Sequence, residues 1–139
     1  MLNIEIAQPG LFDESSRHGR LLEYSLTTSC GAGTLKMALK GLIEYADSID
    51  GLYLNLAFGS SCWGLLNPTW CPEELVPFTT LTIDQLTMPA SQADVFIWLH
   101  SIDAELIPQA VLNVYRVMKP VAILQLDIEG IKNKQSRDL

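Results

Sequence analysis

The chain has 139 residues, of which 48% are hydrophobic and 18% charged, with nine Gly and seven Pro. That is enough apolar material for one domain with a buried core and too much for a disordered chain. Nine Lys and Arg against sixteen Asp and Glu leave a formal charge of -7 with no basic cluster, and an acidic field repels phosphate backbones, so nucleic-acid binding is disfavoured.

No apolar run approaches the roughly 20 residues that span a bilayer. The opening Met1 to Gln8 has no cationic stretch, and Glu5 interrupts its apolar residues, so a secretory leader is not expected there. A cytoplasmic, reducing location follows as an expectation, without membrane partners. Cys30, Cys62 and Cys71 are odd in number and lack a CxxC pair, which argues against a disulfide framework and against a zinc site.

Residues 1–18 mix Pro9, Gly10, Asp13, Glu14, Ser15 and Ser16 without a sustained period and are read as an N-terminal arm. From Gly19, Leu22, Tyr24 and Leu26 alternate with Glu23, Ser25 and Thr27, the period of a first strand. Thr27, Thr28 and Ser29 then offer helix caps, and Leu35, Leu39, Leu42, Ile43, Ala46 and Ile49 recur at helical spacing, predicting a helix over about 31–48. Lys40 and Glu44 on its polar face are spaced to attract.

Asp50-Gly51 turns the chain into Leu52, Leu54, Leu56 and Phe58, alternating with Tyr53, Asn55 and Ala57. This predicts a second strand. Residues 60–92 carry four prolines and two tryptophans, and they are read as a long loop with a helical hint at 72–76. Val95, Ile97 and Leu99 alternate with Phe96, Trp98 and His100, apolar on both faces, as in a central third strand. Asp103 is a candidate cap for a second helix carrying Ile107, Ala110, Val111, Val114 and Met118, with Pro108 tolerated only in its first turn. Ala122, Leu124, Leu126 and Ile128 predict a fourth strand, followed by a polar tail.

Two β-α-β units predict one ferredoxin-like α+β sandwich over 1–139, a four-stranded antiparallel sheet with both helices on one face. Tyr53, Ala57, Phe96 and Trp98 then fall on the uncovered face, whose apolar character calls for a partner sheet. That partner is a second copy, a homo-oligomer, or a further domain of a longer chain.

Chemistry-bearing residues are few. His100 and Asp103 stand three apart at a strand end, an arrangement open to acid/base pairing but more often structural. Cys30 precedes a helix, where the dipole lowers a thiol pKa. Cys62 and Cys71 flank Trp63 and Trp70 at a spacing that matches no metal motif. Cys30-Gly31-Ala32-Gly33 follows a strand and opens a helix but lacks the Lys-Ser/Thr of a P-loop, so it reads as a tight turn. Glu73 and Glu74 read as surface charge.

Several segments in order resemble the N-terminal half of the dye-decolorising (DyP-type) heme peroxidases, in the porphyrinogen peroxidase-like branch. They are Gln8-Pro9-Gly10-Leu11-Phe12, the stretch LNLAFGSSCWGLL from Leu54 to Leu66, PEELVPF from Pro72 to Phe78, ADVFIWLHS from Ala93 to Ser101, and Ser136-Arg137-Asp138-Leu139. The resemblance implies two ferredoxin-like halves packed sheet to sheet as a dimeric α+β barrel, with heme b and hydrogen peroxide-dependent oxidation of organic substrates in the intact family. There, a Gly-x-x-Asp-Gly segment with the distal aspartate follows a stretch like Arg137-Asp138-Leu139, and the proximal histidine and distal arginine lie beyond it. No residue of this chain, His18 and His100 included, matches a family ligand or catalytic position. No catalytic, cofactor-binding or metal residue is therefore assigned, and heme binding by this chain alone is not expected. The resemblance makes it a scaffold half. The alternatives are a free-standing ferredoxin-like binding or dimerisation module, and a cofactor-free monooxygenase of the small α+β-barrel kind, which the apolar sheet face disfavours.

Overall fold

In the computed structural model of the protein, residues 7–133 are described. The Ser136 to Leu139 segment of the resemblance lies outside the described residues. The elements in order are β1 (His18–Leu26), α1 (Ala32–Asp47), β2 (Leu52–Phe58), α2 (Ser60–Leu66), β3 (Leu81–Ile83), β4 (Leu86–Met88), β5 (Val95–Ser101), α3 (Leu106–Met118) and β6 (Ala122–Ile131). Four strands form an antiparallel sheet in the order β2-β5-β1-β6. This is the ferredoxin-like topology that the two β-α-β units predict, and β5 is central, as its two apolar faces require.

One face of the sheet carries the core. Leu22, Val95, Ile97 and Leu99 pack there against Leu35, Leu39 and Leu42 of α1 and against Ala110, Val114 and Met118 of α3. These helical residues recur every three or four positions, so each helix lays one stripe on the sheet. Pro108 falls in the first turn of α3, where a missing N–H costs no helical bond.

Four local expectations are corrected. The N-cap of α1 is Gly31, with no side-chain cap; Thr27 Oγ1 instead donates to the Val121 carbonyl at 3.2 Å. Asp103 caps no helix: its Oδ1 accepts from the Glu105 N–H at 2.9 Å, one turn before α3. The connection over 60–92 contains α2 and a β3–β4 hairpin, while the hint at 72–76 is only a turn. The helix α2 is short, and β3 and β4 have three residues each, too few for a period to show.

The fourth correction concerns β6. Its pairing with β1 shifts between Glu23 and Tyr24, leaving Gln125 as the extra residue of a bulge. Because side chains alternate strictly along a strand, one inserted residue moves everything beyond it to the other face. Ala122 and Leu124 therefore share the helix face with Tyr24, whereas Leu126 and Ile128 sit opposite Glu23 and Leu21 on the open face. The alternation Ala122, Leu124, Leu126, Ile128 is not one stripe but two.

Candidate functional site

The open face is built in three rows across the four strands. The register sets Tyr53, His100, Gly19 and Gly130 in one row, Asn55, Trp98, Leu21 and Ile128 in the next, and Ala57, Phe96, Glu23 and Leu126 in the third. Tyr53, Ala57, Phe96 and Trp98 thus lie where alternation puts them. Leu126 and Ile128 remain 38% and 45% exposed, so the face is both apolar and accessible at its β6 side.

The β2 side of this face is closed by the arm. The Gln8 side chain clamps the edge of the sheet, Nε2 donating to the Leu56 carbonyl at 2.8 Å and Oε1 accepting from the Leu56 N–H at 2.7 Å. Both free backbone groups of an edge-strand residue are thereby satisfied, which blunts the edge against other strands. A 3-10 turn over Pro9–Phe12 then lays Gly10 on Asn55 and His100. A turn at Asp13 follows, whose carboxylate accepts from the Ser15 hydroxyl at 2.6 Å and from the Ser16 N–H at 3.0 Å. Arg17 N–H bonds the Ser101 carbonyl at 3.0 Å and delivers the chain into β1.

His100 is the hub of this arrangement and is only 2% exposed. Its Nε2 lies 2.9 Å from the Asn55 amide nitrogen and its Nδ1 lies 2.8 Å from Ser16 Oγ. The ring is stacked between Trp98, centroids 4.2 Å apart, and Tyr53, centroids 5.2 Å apart. The Asn55 amide donates to Nε2 of the neutral ring, which leaves the proton on Nδ1 toward Ser16; a charged ring would set two donors against each other. Burial lowers the His100 pKa, against the opposing pull of the Asp13 carboxylate and the Gly10 carbonyl. Burial also opposes ionisation of Asp13, but hydrogen bonds from Ser15 and Ser16 outweigh it and hold that carboxyl at about 2.

His100 and Asp103 are therefore not partners. His100 points from the open face into the arm, and the carboxylate near it is Asp13, 3.6 Å from Nδ1. Sequence reading misses Asp13, Ser16 and Asn55 because they come from three separate segments. The one local signal is Asn55, a polar residue amid apolar ones in β2.

A second cluster lies on the helix face. Arg20 of β1 holds Asp127 of β6 through Nε and Nη2, and the Tyr115 hydroxyl of α3 donates to the same carboxylate. Arg20 also reaches Glu129 at 3.5 Å. The guanidinium lowers the Asp127 pKa, and Asp127 in turn raises those of Arg20 and Tyr115. Tyr24 beside them is raised by burial, and its hydroxyl has no hydrogen-bond partner. The Gln125 bulge puts Asp127 on this face, a shift invisible to alternation.

Cys30 is a further correction: burial raises its pKa, and it stands before the N-cap Gly31, outside the helix, with its thiol toward the Gly31 carbonyl. Burial, with Asp94 and Cys30 nearby, pushes Cys62 up to about 11. Neither is a thiolate at neutral pH. Cys30 and Gly31 lead directly into α1, whose first turn holds Ala32 and Gly33, and Glu73 and Glu74 are exposed.

Two clefts flank the start of β1. One of about 410 Å³ on the open face is lined by Asp13, Ser16, His18, Trp98, His100 and Lys132, and one of about 340 Å³ on the helix side by His18, Arg20 and Tyr115 among others. Axial ligation of heme iron by histidine needs a ring nitrogen free to coordinate. His100 has both nitrogens engaged and both ring faces stacked, so it does not fit that role. Among the described residues no three His, Cys, Asp or Glu side chains gather to hold a metal ion, and no helix is long and apolar enough to cross a membrane.

The structure defines a ferredoxin-like α+β domain whose four-stranded sheet is covered by helices on one face and left apolar and open on the other. The chain matches the family described as Dyp-type peroxidase, N-terminal, over residues 25–132, and it belongs to that family. No curated protein matches it. Among solved structures, it is similar to the encapsulated DyP-type peroxidase from Mycobacterium smegmatis, with a TM-score of 0.79 and 21% identity over 95% of this chain and 44% of that one. A variant of DypB from Rhodococcus jostii RHA1 in complex with heme gives 0.76 and 16% over 88% and 42%. A dye-decolorizing peroxidase from Bacteroides thetaiotaomicron gives 0.67 and 13% over 90% and 43%. The chain spans less than half the length of each of these relatives.

Proposed function

We propose that this domain is the scaffold half of a heme-dependent DyP-type peroxidase, and that its open sheet face seats a C-terminal half carrying the heme ligands. The observation behind this reading is the one-sided sheet: helices cover one face, while Phe96, Trp98, Leu126 and Ile128 lie on the other. Burying such a face against a second sheet follows the ordinary packing of layered domains. The activity of the assembled protein is then oxidation of organic substrates by hydrogen peroxide. The heme supplies the redox chemistry, and the residues described here position the sheet that backs it. Glu23 stands in the row with Phe96 and Leu126, so a covering surface has to bring a cation or leave a buried carboxylate unpaired, a cost of several kcal/mol.

The test begins with the reading frame beyond Leu139. If it continues, the complete product is loaded with hemin and its Soret band and peroxide-dependent dye oxidation are measured beside those of residues 1–139 alone. Heme and activity in the complete product only are expected. Heme bound with activity by residues 1–139 alone overturns the scaffold assignment. A frame that closes, with no second chain restoring heme binding, favours the free-standing dimerisation module.

A further inference from the structure

The open face has a notch at the end where β1 begins and β6 finishes. Gly19 and Gly130 are cross-strand partners there, in the row that His100 and Tyr53 continue. Two glycines side by side leave the backbone of both strands bare. Gly19 has a packing reason: a Cβ on it would stand 3.2 Å from Trp98 Nε1 and 3.2 Å from the Leu99 carbonyl, so only glycine lets the indole lie across β1. Gly130 has no such reason. Its φ is not positive, a Cβ on it would meet nothing within 4 Å, and glycine weakens a strand.

Both glycines line the cleft of about 410 Å³, a volume in the range of small-molecule sites. Leu21, Trp98 and Ile131 give it apolar walls. Trp98 is half-buried and stacked on His100, and its Nε1–H has no acceptor among the described residues. Arg17 and Lys132 are exposed beside it, and neither has an ion-pair partner among the described residues. Lys132 Nζ is anchored on the Glu14 carbonyl at 3.0 Å, which ties it to the arm. The one carboxylate in the lining, Asp13, is spent on its own turn: it accepts from Ser15 and Ser16, and its side chain is 8% exposed. A chain of formal charge -7 thus gathers two unpaired cations and a free N–H donor around a bare apolar floor.

We propose that this cleft binds a small aromatic carboxylate. The ring takes the floor that Gly19 and Gly130 leave open, against Leu21 and Trp98, and the carboxylate accepts from Trp98 Nε1 while facing Lys132 and Arg17. Exposed ion pairs contribute little in water, so the charge orients the ligand and the apolar floor supplies the rest of the binding. Glu23 and Phe96, in the third row of the open face, lie four residues further along β1, about 13 Å away. The site is therefore at the margin of that face, and it does not rest on the peroxidase reading.

Benzoate is the probe, titrated into the protein as its gene encodes it and followed by the indole N–H resonance of Trp98, which Trp98→Phe identifies. Saturable movement of that resonance is expected. Benzamide, of the same shape but uncharged, should bind about tenfold more weakly, and Lys132→Gln or Arg17→Gln should each weaken benzoate about two- to fivefold, the factor of an exposed ion pair. Acetate, the charge without the ring, should leave the resonance in place. Gly130→Val, which builds into open space over the floor, should abolish binding at an unchanged far-UV CD spectrum. A resonance that benzoate does not move overturns the proposal, and a complete product that binds heme while showing no benzoate response leaves the scaffold reading standing and removes this one alone. Equal binding of benzamide or acetate overturns it as well, as does benzoate binding that Gly130→Val leaves intact. If Gly130→Val fails to fold, the two cation variants decide: parental affinity in both overturns the site.

Discussion

Gly10 lies against His100 so closely that a Cβ on it would stand 2.8 Å from Nε2, and 2.7 Å from the amide nitrogen of Asn55. Both neighbours are short, buried and held by hydrogen bonds and ring stacking, so neither can swing aside. Gly10→Ala is expected to cost about 1–3 kcal/mol, the usual range for overpacking. It should also loosen the arm. Thermal denaturation reads the first effect and amide hydrogen exchange at Leu56, which the Gln8 clamp covers, reads the second. An unchanged midpoint with unchanged protection would show that the arm does not close on the sheet this way.

The same latch makes stability depend on pH in two windows. His100 has its folded pKa lowered by burial, so its contribution is complete above the unfolded value of 6.5 and erodes as the pH falls below it. Asp13 is held at about 2 against 3.8, so its contribution is present above 3.8 and disappears between there and 2. Denaturation midpoints should therefore fall from pH 7 toward 5, and fall again below 4. His100→Gln should flatten the upper slope and spare the lower one; a variant with the parent's upper slope assigns that slope to another group.

On the helix face, Asp127→Asn removes the charge that Arg20 and Tyr115 share. Partial exposure of Arg20 and Asp127 screens the loss, so about 1–2 kcal/mol is expected. Because Asp127 raises the Tyr115 pKa, ultraviolet titration of the variant should show a tyrosine ionising at lower pH than in the parent. No change in that titration would separate Tyr115 from Asp127.

The two faces of the sheet should respond differently to truncation. Leu22→Ala removes a fully buried side chain between sheet and helices and is expected to cost 2–5 kcal/mol, about the range for core leucines. Ile128→Ala, on the open face, should change the stability of this domain by no more than about 0.5 kcal/mol. Urea denaturation compares them. A large loss at Ile128 would mean that the open face is already covered within this chain.

How far the sequence carries is clearest where a local period is uninterrupted. Leu52, Leu54, Leu56 and Phe58 define β2 to the residue, and the stripes of Leu35, Leu39 and Leu42 and of Ala110, Val114 and Met118 define the two helices. From these, the ferredoxin-like order and an unsheltered face follow, because alternation is a property of neighbouring residues and each neighbour is visible in the sequence. The segments resembling DyP-type peroxidases were legible in the same way. What only the tertiary structure decided is which distant residues meet. One bulge residue, Gln125, turns Leu126 and Ile128 to the open face and Asp127 toward Arg20 and Tyr115. An arm without any period brings Gly10, Asp13 and Ser16 onto His100, and the register of β1 against β6 sets Gly19 beside Gly130 in the lining of a cleft. Each depends on register or chain reversal between segments far apart in sequence, and no periodicity within a single segment encodes it.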